Sequence, residues 1–395
     1  MYATRPLRSV ESLFRLPEGP FSGYLLLQNE EEQDLEPSVE TCCWGLYKDK
    51  RFTGPPFPQN KCLSVCFTDS AGETTVNHVD HTFFIPVLGQ PLTYNLYYVV
   101  AVDGKHKGLV CTCSREEEKV TSCFCTFVED TKPKPFHPNN IYQQMQIIPR
   151  GKICKDFIST SVASDGYPPR FLRRNGWEVF ISKSKSLKLS KAEGMNVDLR
   201  AQFPHMNFPI SQKGSKIVTV GEWYSPFIFV KEKGGLDKPK KQLKESFYYK
   251  MSLEQQWEEI HCCRGFGSKA VGVETRVKSE EGFLMGRVVV DERWDITNGM
   301  VWFETREKSG VQGGLMGVGL SKVIMEKMKW DQDILGNRGE KKDVKVERVF
   351  HSSREGEWTF ALYVLVERYV LRRMDESLIF SYVFRHSQQL REKWE

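Results

Sequence analysis

The sequence reads Tyr94-Asn-Leu-Tyr-Tyr-Val-Val-Ala-Val-Asp-Gly-Lys-His-Lys-Gly-Leu-Val-Cys-Thr-Cys113 where its strand pattern is clearest. Apolar, β-branched and aromatic residues fill 94–102, and a second such run ends at Cys113. Runs of this kind favour β-strands. Between them lies Asp103-Gly104, a pair that tolerates the positive φ angles of a tight turn. The pattern therefore predicts a hairpin in which 94–102 folds back onto the strand that ends at Cys113.

The same pattern continues on both sides of this hairpin. From Pro20 to Asp130, short apolar runs alternate with turn residues, and helical periodicity is weak. The other runs cover residues 23–28, 42–47, 62–68, 82–88 and 121–128. Antiparallel strands joined by short connections have this pattern. We therefore expect residues 1–130 to form a β-rich N-terminal domain.

A proline cluster marks the end of that domain. Pro133, Pro135 and Pro138 stand within six residues, and proline is excluded from helix interiors and central strands. We interpret 131–150 as a Pro-rich linker and 151–395 as an α+β C-terminal domain that contains a lysine-rich exposed connector at 231–250. The predicted fold class is α+β, with predominantly antiparallel β-sheets and a few short helices in two domains.

Helix and strand signals are mixed in the C-terminal domain. Ser252 and Gln255 form a capping box ahead of an apolar stripe, which predicts a helix over 252–262. Further helices are expected over 165–176, over 321–330 and at the C-terminus, ending at residue 394. Residues 269–395 otherwise indicate a β-meander around one helix. Within it, residues 360–366 are apolar at every position, which is typical of a central strand covered on both faces.

Charge and hydropathy exclude several classes of protein. Lysine and arginine exceed aspartate and glutamate by 56 − 51 = 5, which does not favour nucleic acid or an anionic membrane as an obligate partner. No apolar run reaches the roughly 18 residues of a membrane-spanning helix, and the N-terminus lacks the apolar region of a secretory signal. We expect a cytoplasmic location, with the nucleus as the alternative, and no membrane span.

The eleven cysteines are an odd number and include the adjacent pairs 42–43 and 262–263, which favours reduced thiols over a disulfide framework. Cys111, Cys113, Cys123 and Cys125 would share one face of a hairpin centred near Glu118. Zinc sites take their cysteines from tighter turns than flat C-x-C strands supply. We interpret the four thiols as buried packing residues, and we expect no metal.

Other motifs carry weaker signals. His78 and Asp80 share one face of a strand while His81 faces the other way, so the three cannot converge directly. His261 stands beside two cysteines, and the glycine-rich segment 313–322 lacks both common phosphate-binding spacings. Two proline clusters, 54–58 and 133–138, contain the minimal P-x-x-P pattern of a polyproline ligand, although turns and linkers contain it as well.

A basic and aromatic segment is the best candidate for a binding site. It places Arg170, Arg173 and Arg174 close to Trp177 in the chain. Cations interleaved with aromatic rings suit RNA or phosphorylated ligands. A solvated helix face above an aromatic core would explain the same residues.

Strings from one end of the chain to the other resemble a plant family catalogued as domain of unknown function 1262, some members of which are labelled insecticidal crystal toxin domain proteins. They are Met1-Tyr-Ala-Thr-Arg-Pro-Leu7, Glu18-Gly-Pro-Phe-Ser-Gly-Tyr24, Pro56-Phe-Pro-Gln-Asn60, Phe84-Ile-Pro-Val-Leu88, Gly104-Lys-His-Lys-Gly108, Phe171-Leu-Arg-Arg-Asn-Gly-Trp177, Trp223-Tyr-Ser-Pro-Phe227, Ser252-Leu-Glu-Gln-Gln-Trp257, Phe384-Arg-His386 and Lys393-Trp-Glu395. The resemblance implies a plant intracellular protein associated with stress or defence. It supplies no catalytic residue, cofactor or substrate.

The sequence therefore favours a non-enzymatic binding or interaction module that has a protein partner and no cofactor. Two alternatives stay open. One is an enzyme with an interdomain cleft that uses Asp80, His81, Arg173 or His261. The other is a weak RNA-binding or phosphate-binding protein, which salt-dependent affinity would reveal.

Overall fold

The structure is a computed structural model of the 395-residue chain. It describes residues 1–7, 14, 16–28, 50–52, 54–71, 74–122, 125–150, 156–174, 176–233, 238–267, 270–289, 291–295, 297–305, 316–335, 343–351 and 356–395. The predicted strand at 42–47, the adjacent cysteines at 42–43 and residues 313–315 of the glycine-rich segment lie outside these residues.

Strands make up most of the described chain. The first thirteen are β1 (Tyr2–Pro6), β2 (Gly23–Leu27), β3 (Lys50–Phe52), β4 (Lys61–Ala71), β5 (Thr74–Pro86), β6 (Leu96–Ala101), β7 (Ser114–Arg115), β8 (Lys119–Ser122), β9 (Cys125–Val128), β10 (Met145–Arg150), β11 (Asp156–Ser161), β12 (Gly166–Tyr167) and β13 (Glu178–Ser186). The others are β14 (Gly194–Met195), β15 (Val218–Pro226), β16 (Val230–Lys233), β17 (Tyr248–Phe266), β18 (Ala270–Lys278), β19 (Glu280–Leu284), β20 (Arg287–Val288), β21 (Asp291–Asp295), β22 (Met300–Thr305), β23 (Met316–Ser321), β24 (Asp343–His351), β25 (Glu357–Arg373) and β26 (Leu378–Trp394).

Helices are short and few in the described residues. The α-helices are α1 (Arg170–Arg173), α2 (Val197–Gln202), α3 (Pro239–Glu245) and α4 (Lys322–Ile334). Single 3₁₀ turns cover Leu92–Tyr94, Glu116–Glu118, Ile141–Gln143, Ile210–Gln212 and Phe227–Phe229. The described chain is thus mostly β, with several antiparallel sheets, which confirms the predicted predominance of antiparallel strands; the α+β label stays a prediction. None of the described helices has both the length and the apolar character that crossing a bilayer requires.

The larger sheet has nine strands in the order β2-β1-β15-β17-β25-β26-β19-β20, with β14 paired to β15. Its centre is β25, which pairs antiparallel with β17 on one side and β26 on the other. Every residue from Phe360 to Val366 is 0% exposed. The prediction of a central strand covered on both faces is confirmed.

A seven-stranded sheet follows the order β11-β10-β6-β5-β4-β13-β3. The predicted hairpin at Asp103-Gly104 lies at its middle. Gly104 has φ of 66°, and the returning chain bonds to β6 through Cys111 N to Val99 O at 2.8 Å. A four-stranded sheet, β16-β23-β22-β21, lies nearby, and the largest apolar cluster takes side chains from all three sheets and from α4.

Two predicted helices are strands. Residues 252–262 belong to β17, and residues 385–394 belong to β26. The apolar stripe predicted a helix wrongly because Leu253 and Trp257 are four residues apart. A strand also places residues at this even spacing on one face. Met251, Leu253, Gln255 and Trp257 are buried while the residues between them are half-buried, which is the alternation of a strand.

The sheets also cross the predicted domain limits. The nine-stranded sheet takes β1 and β2 from the first 130 residues, and the seven-stranded sheet takes β13 from beyond residue 151. The division into two domains stays a prediction. The segment 231–250 is not a simple exposed connector, because it contains most of β16, all of α3 and the start of β17, and Glu232, Gln242 and Tyr248 are buried.

An ion pair is buried between the nine-stranded sheet and helices α2 and α4. Arg200 donates to Glu367 through Nε at 2.8 Å and through Nη2 at 2.7 Å. The side-chain amides of Gln255 and Gln332 donate to the same carboxylate at 2.8 and 2.7 Å. Burial raises the pKa of Glu367, but His386 and Arg200 more than offset that effect and hold the pKa at about 2.

Candidate functional site

An open cleft of about 560 Å³ lies where the proline-rich segment meets the four-stranded sheet. Four parts of the chain line it: the end of β7, residues 134–142, strand β16 and the loop before β22. The polar and aromatic groups of interest are Arg115, Lys134, His137, Tyr142, Lys231 and Asn298. Arg115, Lys231, Asn298 and the segment 134–142 are far apart in sequence, and the fold brings them together.

Backbone and side-chain hydrogen bonds hold the proline-rich segment in place. Lys134 and Val110 exchange two backbone bonds, with Val110 N to Lys134 O at 2.9 Å and Lys134 N to Val110 O at 3.0 Å. Gln143, which is 0% exposed, accepts from His137 N and donates to Pro135 O. The segment predicted to be a linker is therefore an ordered wall of the cleft.

His137 joins this wall to the loop before β22. Asn139 N donates to His137 Nδ1 at 3.2 Å, so Nδ1 accepts and Nε2 carries the proton. Nε2 lies 3.1 Å from the carbonyl oxygen of Thr297 and donates to it. Next to this contact, Gly299 has φ of 61°, and a Cβ there would come within 2.7 Å of Pro138. The close approach of the two walls requires glycine at 299.

Arg115 has a stacked and accessible guanidinium. It lies 4.8 Å from the ring centre of Tyr142, and its side chain is 52% exposed. Tyr142 is itself oriented by a hydrogen bond from its hydroxyl to Asp165 at 2.9 Å. Glu117 contacts one edge of the guanidinium, with its Oε1 3.2 Å from Nη1. A planar guanidinium held in this way suits recognition of a carboxylate or a phosphate.

Lys231 differs from the other cations because it is half-buried. Burial lowers the pKa of its ammonium, an effect that Asp295 partly opposes. Among the described residues, no carboxylate lies within ion-pair distance of Lys231. The ammonium has therefore lost hydration without gaining an anionic partner in direct contact.

The described lining carries Arg115, Lys134 and Lys231 and no carboxylate. Carboxylates approach from outside the lining: Glu117 contacts Arg115, Glu118 interacts with Arg115 and Lys134, Asp165 accepts from Tyr142, and Asp295 influences Lys231. A concave surface with an excess of cations concentrates the field and attracts anionic groups. The arrangement can bind an anion, but it supplies no carboxylate for acid–base chemistry.

The predicted binding residues lie outside this cleft. Arg170 and Arg173 are on α1, where Arg170 N donates to Asp130 at 2.8 Å and Arg173 Nη2 lies 3.5 Å from the same carboxylate. Arg174 follows as the C-terminal cap of that helix. Trp177 is 0% exposed, and its indole N–H donates to Leu172 O at 2.9 Å. Trp177 therefore supports the patch from the core, and the binding role of the arginines stays a prediction.

The predicted cysteine hairpin has a different register. The structure pairs β8 with β9, with Ser122 opposite Cys125, so the hairpin is not centred near Glu118. Cys123 lies outside the described residues. Cys111 and Cys113 are buried instead in the core of the seven-stranded sheet. No cluster of three or more potential metal ligands occurs in the part of the chain that the structure describes.

Burial should make these two thiols unreactive. It raises the pKa of Cys111 to about 12 and that of Cys113 to about 11, so neither forms thiolate near neutral pH. We expect iodoacetamide at pH 8 to alkylate the exposed Cys262 in the native protein and to leave Cys111 and Cys113 unmodified until urea is added. Peptide mass spectrometry measures this, and native labelling of Cys111 would show that the core assignment is wrong.

The histidine motif also has a structural setting. His78 stacks on Phe67, and His81 Nδ1 lies 3.0 Å from Ser64 Oγ on the other face. Asp103 is 3.9 Å from His81 Nε2, which completes a Ser-His-Asp set. Ser64 is only 1% exposed, however, and a nucleophile must reach its substrate. His261 is on β17 of the nine-stranded sheet, with its ring near Phe360.

Comparison with known proteins finds a family match. A model described as "Protein of unknown function (DUF1262)" fits residues 18–124. The resemblance is confirmed for that span. The matched span, residues 18–124, contains Arg115 but neither Lys134 nor Lys231. No curated protein matches the chain. Among solved structures, the chain is similar to "Crystal structure of Cry35Ab1", with a TM-score of 0.48 and 12% identity over 86% of this chain and 90% of that one.

Proposed function

We propose that this protein is a non-enzymatic binding protein that takes an acidic segment of a partner protein into the cleft. The observation that carries the proposal is the imbalance of charge: Arg115, Lys134 and Lys231 line the cleft, and no described lining residue is a carboxylate. An acidic ligand would provide direct anionic contacts for Lys134 and Lys231 and would compete with Glu117 for Arg115. An enzyme that uses Ser64, His81 and Asp103 has less support, because Ser64 is buried.

The shape of the cleft favours a peptide over a small metabolite. Small-molecule sites are usually enclosed and largely apolar, whereas this cleft is open along its length. Ile141 is 48% exposed at its rim, and the Tyr142 ring stacks beneath Arg115. These apolar surfaces could contact side chains next to an acidic residue, which would add affinity that charge alone does not supply.

The setting of this binding protein is part of the proposal. The family resemblance supports a plant protein associated with stress or defence, located in the cytoplasm with the nucleus as the alternative. Arg170, Arg173 and Arg174 form a proposed secondary contact, supported from the core by Trp177. Gly166 of β12 pairs with Arg115 of β7, so the segment that leads to α1 begins beside the cleft. A longer acidic partner could cover both surfaces.

Fluorescence anisotropy with a labelled hexaglutamate peptide tests the proposal. We expect Arg115→Gln, Lys134→Gln and Lys231→Met each to weaken binding roughly 5- to 10-fold, since one charge contact contributes about 1 kcal/mol. Lys240→Met is the matched control, because Lys240 is exposed on α3 and does not line the cleft. Equal losses in the control and the cleft variants would contradict a local site.

A further inference from the structure

We infer that Lys231 is the specificity-determining residue of the cleft and that it requires an anionic group on the ligand, whereas Arg115 and Lys134 accept neutral ligands at little cost. This inference rests on the proposed function and assigns different roles to cations that carry the same charge. Its basis is the difference in their surroundings.

Arg115 and Lys134 are exposed. Water solvates their charged groups in the free protein, and Arg115 also has Glu117 at 3.2 Å. A neutral ligand beside them removes little hydration and leaves that ion pair in place. An anion beside either group still strengthens binding several-fold, but a neutral ligand leaves no buried charge unpaired there.

Lys231 is in the opposite situation. Its ammonium is half-buried on β16, where strand β23 pairs along one side, and the described residues place no carboxylate in contact with it. A neutral ligand would cover the ammonium further and leave its charge unpaired, which is costly. An anionic ligand would pair with it in surroundings of low dielectric constant, where the attraction is stronger.

The same reasoning explains why the ligand must place its charge accurately. A site with a partly desolvated polar group discriminates strongly against analogues that lack the matching group, whereas apolar contacts discriminate weakly. The partner segment should therefore carry one indispensable Glu or Asp at the position that meets Lys231. Further acidic residues near Arg115 and Lys134 would raise the association rate more than they improve selectivity.

Two matched peptides test this inference by ligand-observed NMR: an oligoglycine peptide with blocked ends and one central Glu, and the same peptide with Gln in place of that Glu. In the native protein we expect the Glu peptide to bind about tenfold more tightly than the Gln peptide. Lys231→Met should reduce this ratio to about one, and Arg115→Gln should keep it near tenfold whatever the change in overall affinity. A ratio that survives in Lys231→Met overturns the inference.

A pH titration separates a direct role of Lys231 from a structural one. The pKa of Lys231 is lowered by burial, so the preference for Glu should disappear as the pH rises through a range in which ordinary lysines keep their proton. Lys231→Arg should hold the preference to higher pH. Of the neighbouring groups, the Asp295 pKa is lowered by Asn298, so Asp295 stays ionised at alkaline pH, and the Tyr142 pKa is raised by Asp165. His137, Lys134 and Arg115 are present in both the native protein and Lys231→Arg, so a difference between the two pH profiles comes from residue 231.

The two failures are distinguishable. If hexaglutamate does not bind the native protein at all, the proposed function is wrong. If hexaglutamate binds and the cleft variants weaken it, but the preference for Glu over Gln is the same in Lys231→Met and in the native protein, then only the role of Lys231 is wrong.

Discussion

Replacing Glu367 with Gln should lower the free energy of unfolding by about 3–5 kcal/mol, the usual cost of leaving one member of a buried ion pair without its partner. Glu367 is 0% exposed and accepts hydrogen bonds from Arg200, Gln255 and Gln332. The substitution leaves the guanidinium charge buried and turns one accepting oxygen into a donor amide that faces other donors. Urea unfolding followed by tryptophan fluorescence measures the loss.

The comparison with Glu274→Gln shows whether burial of the ion pair causes the expected loss of stability in Glu367→Gln. Glu274 forms an ion pair with Lys345 at 2.7 Å, but both side chains are largely exposed. Removing this surface pair should change stability little. Similar losses in the two variants would mean that the Arg200–Glu367 pair is not buried as described.

The pH dependence of the Glu367 variant follows from linkage. The pKa of Glu367 is held at about 2 in the folded protein, below its value of about 4.3 in the unfolded chain. A lowered folded-state pKa stabilises the protein above the unfolded-state value, and this contribution is lost as the pH falls towards 2. The difference between the native protein and Glu367→Gln should therefore be constant near pH 7 and shrink between about pH 4 and pH 2. A difference that grows on acidification would contradict the assignment.

Reversing two charges in the cleft should have the second large effect. Arg115→Glu combined with Lys134→Glu replaces two exposed attractive contacts with two repulsive ones. We expect hexaglutamate affinity to fall about 100-fold and hexalysine to bind instead, because like charges facing each other cost more than the loss of an attraction. Both side chains are exposed, so the fold should persist.

A control with the same change in net charge isolates the cleft. Lys240 and Lys244 are exposed on α3 and do not line it. Changing both to Glu should alter hexaglutamate binding only through long-range attraction, which salt at about 0.15 M largely screens. If this control lost as much affinity as the cleft variant, net charge and not the cleft would govern binding.

Residues 360–366 and 252–262 show what could be predicted from the sequence. An unbroken apolar run of strand length is best buried as a central strand covered on both faces. Residues Phe360–Val366 form such a strand. Residues 252–262 alternate on a strand, but many of their polar residues are Glu and Gln, whose unbranched side chains also suit a helix. Pairing with β15 and β25 decided between the two, and a single sequence does not show that pairing.

The cleft was harder to predict than the fold. The proline cluster at 133–138 is visible in the sequence and contains Lys134, but its pattern gives no sign that Arg115 and Lys231 lie beside it. Those residues meet because β7, β16 and the loop at Asn298 belong to sheets assembled from distant parts of the chain. Trp177 was predicted to belong to a binding surface, but the structure buries it in the core. A large aromatic residue next to arginines in the sequence suits either place, because cores also need large aromatic side chains.

Photo-crosslinking of a benzophenone-labelled hexaglutamate peptide, mapped by mass spectrometry, shows whether an acidic segment binds in the cleft. We expect adducts within residues 134–142 and at the neighbours of Lys231, lost in the Arg115→Glu and Lys134→Glu variant and displaced by unlabelled peptide. Adducts confined to α3, or to α1 without the cleft, would contradict binding in the cleft.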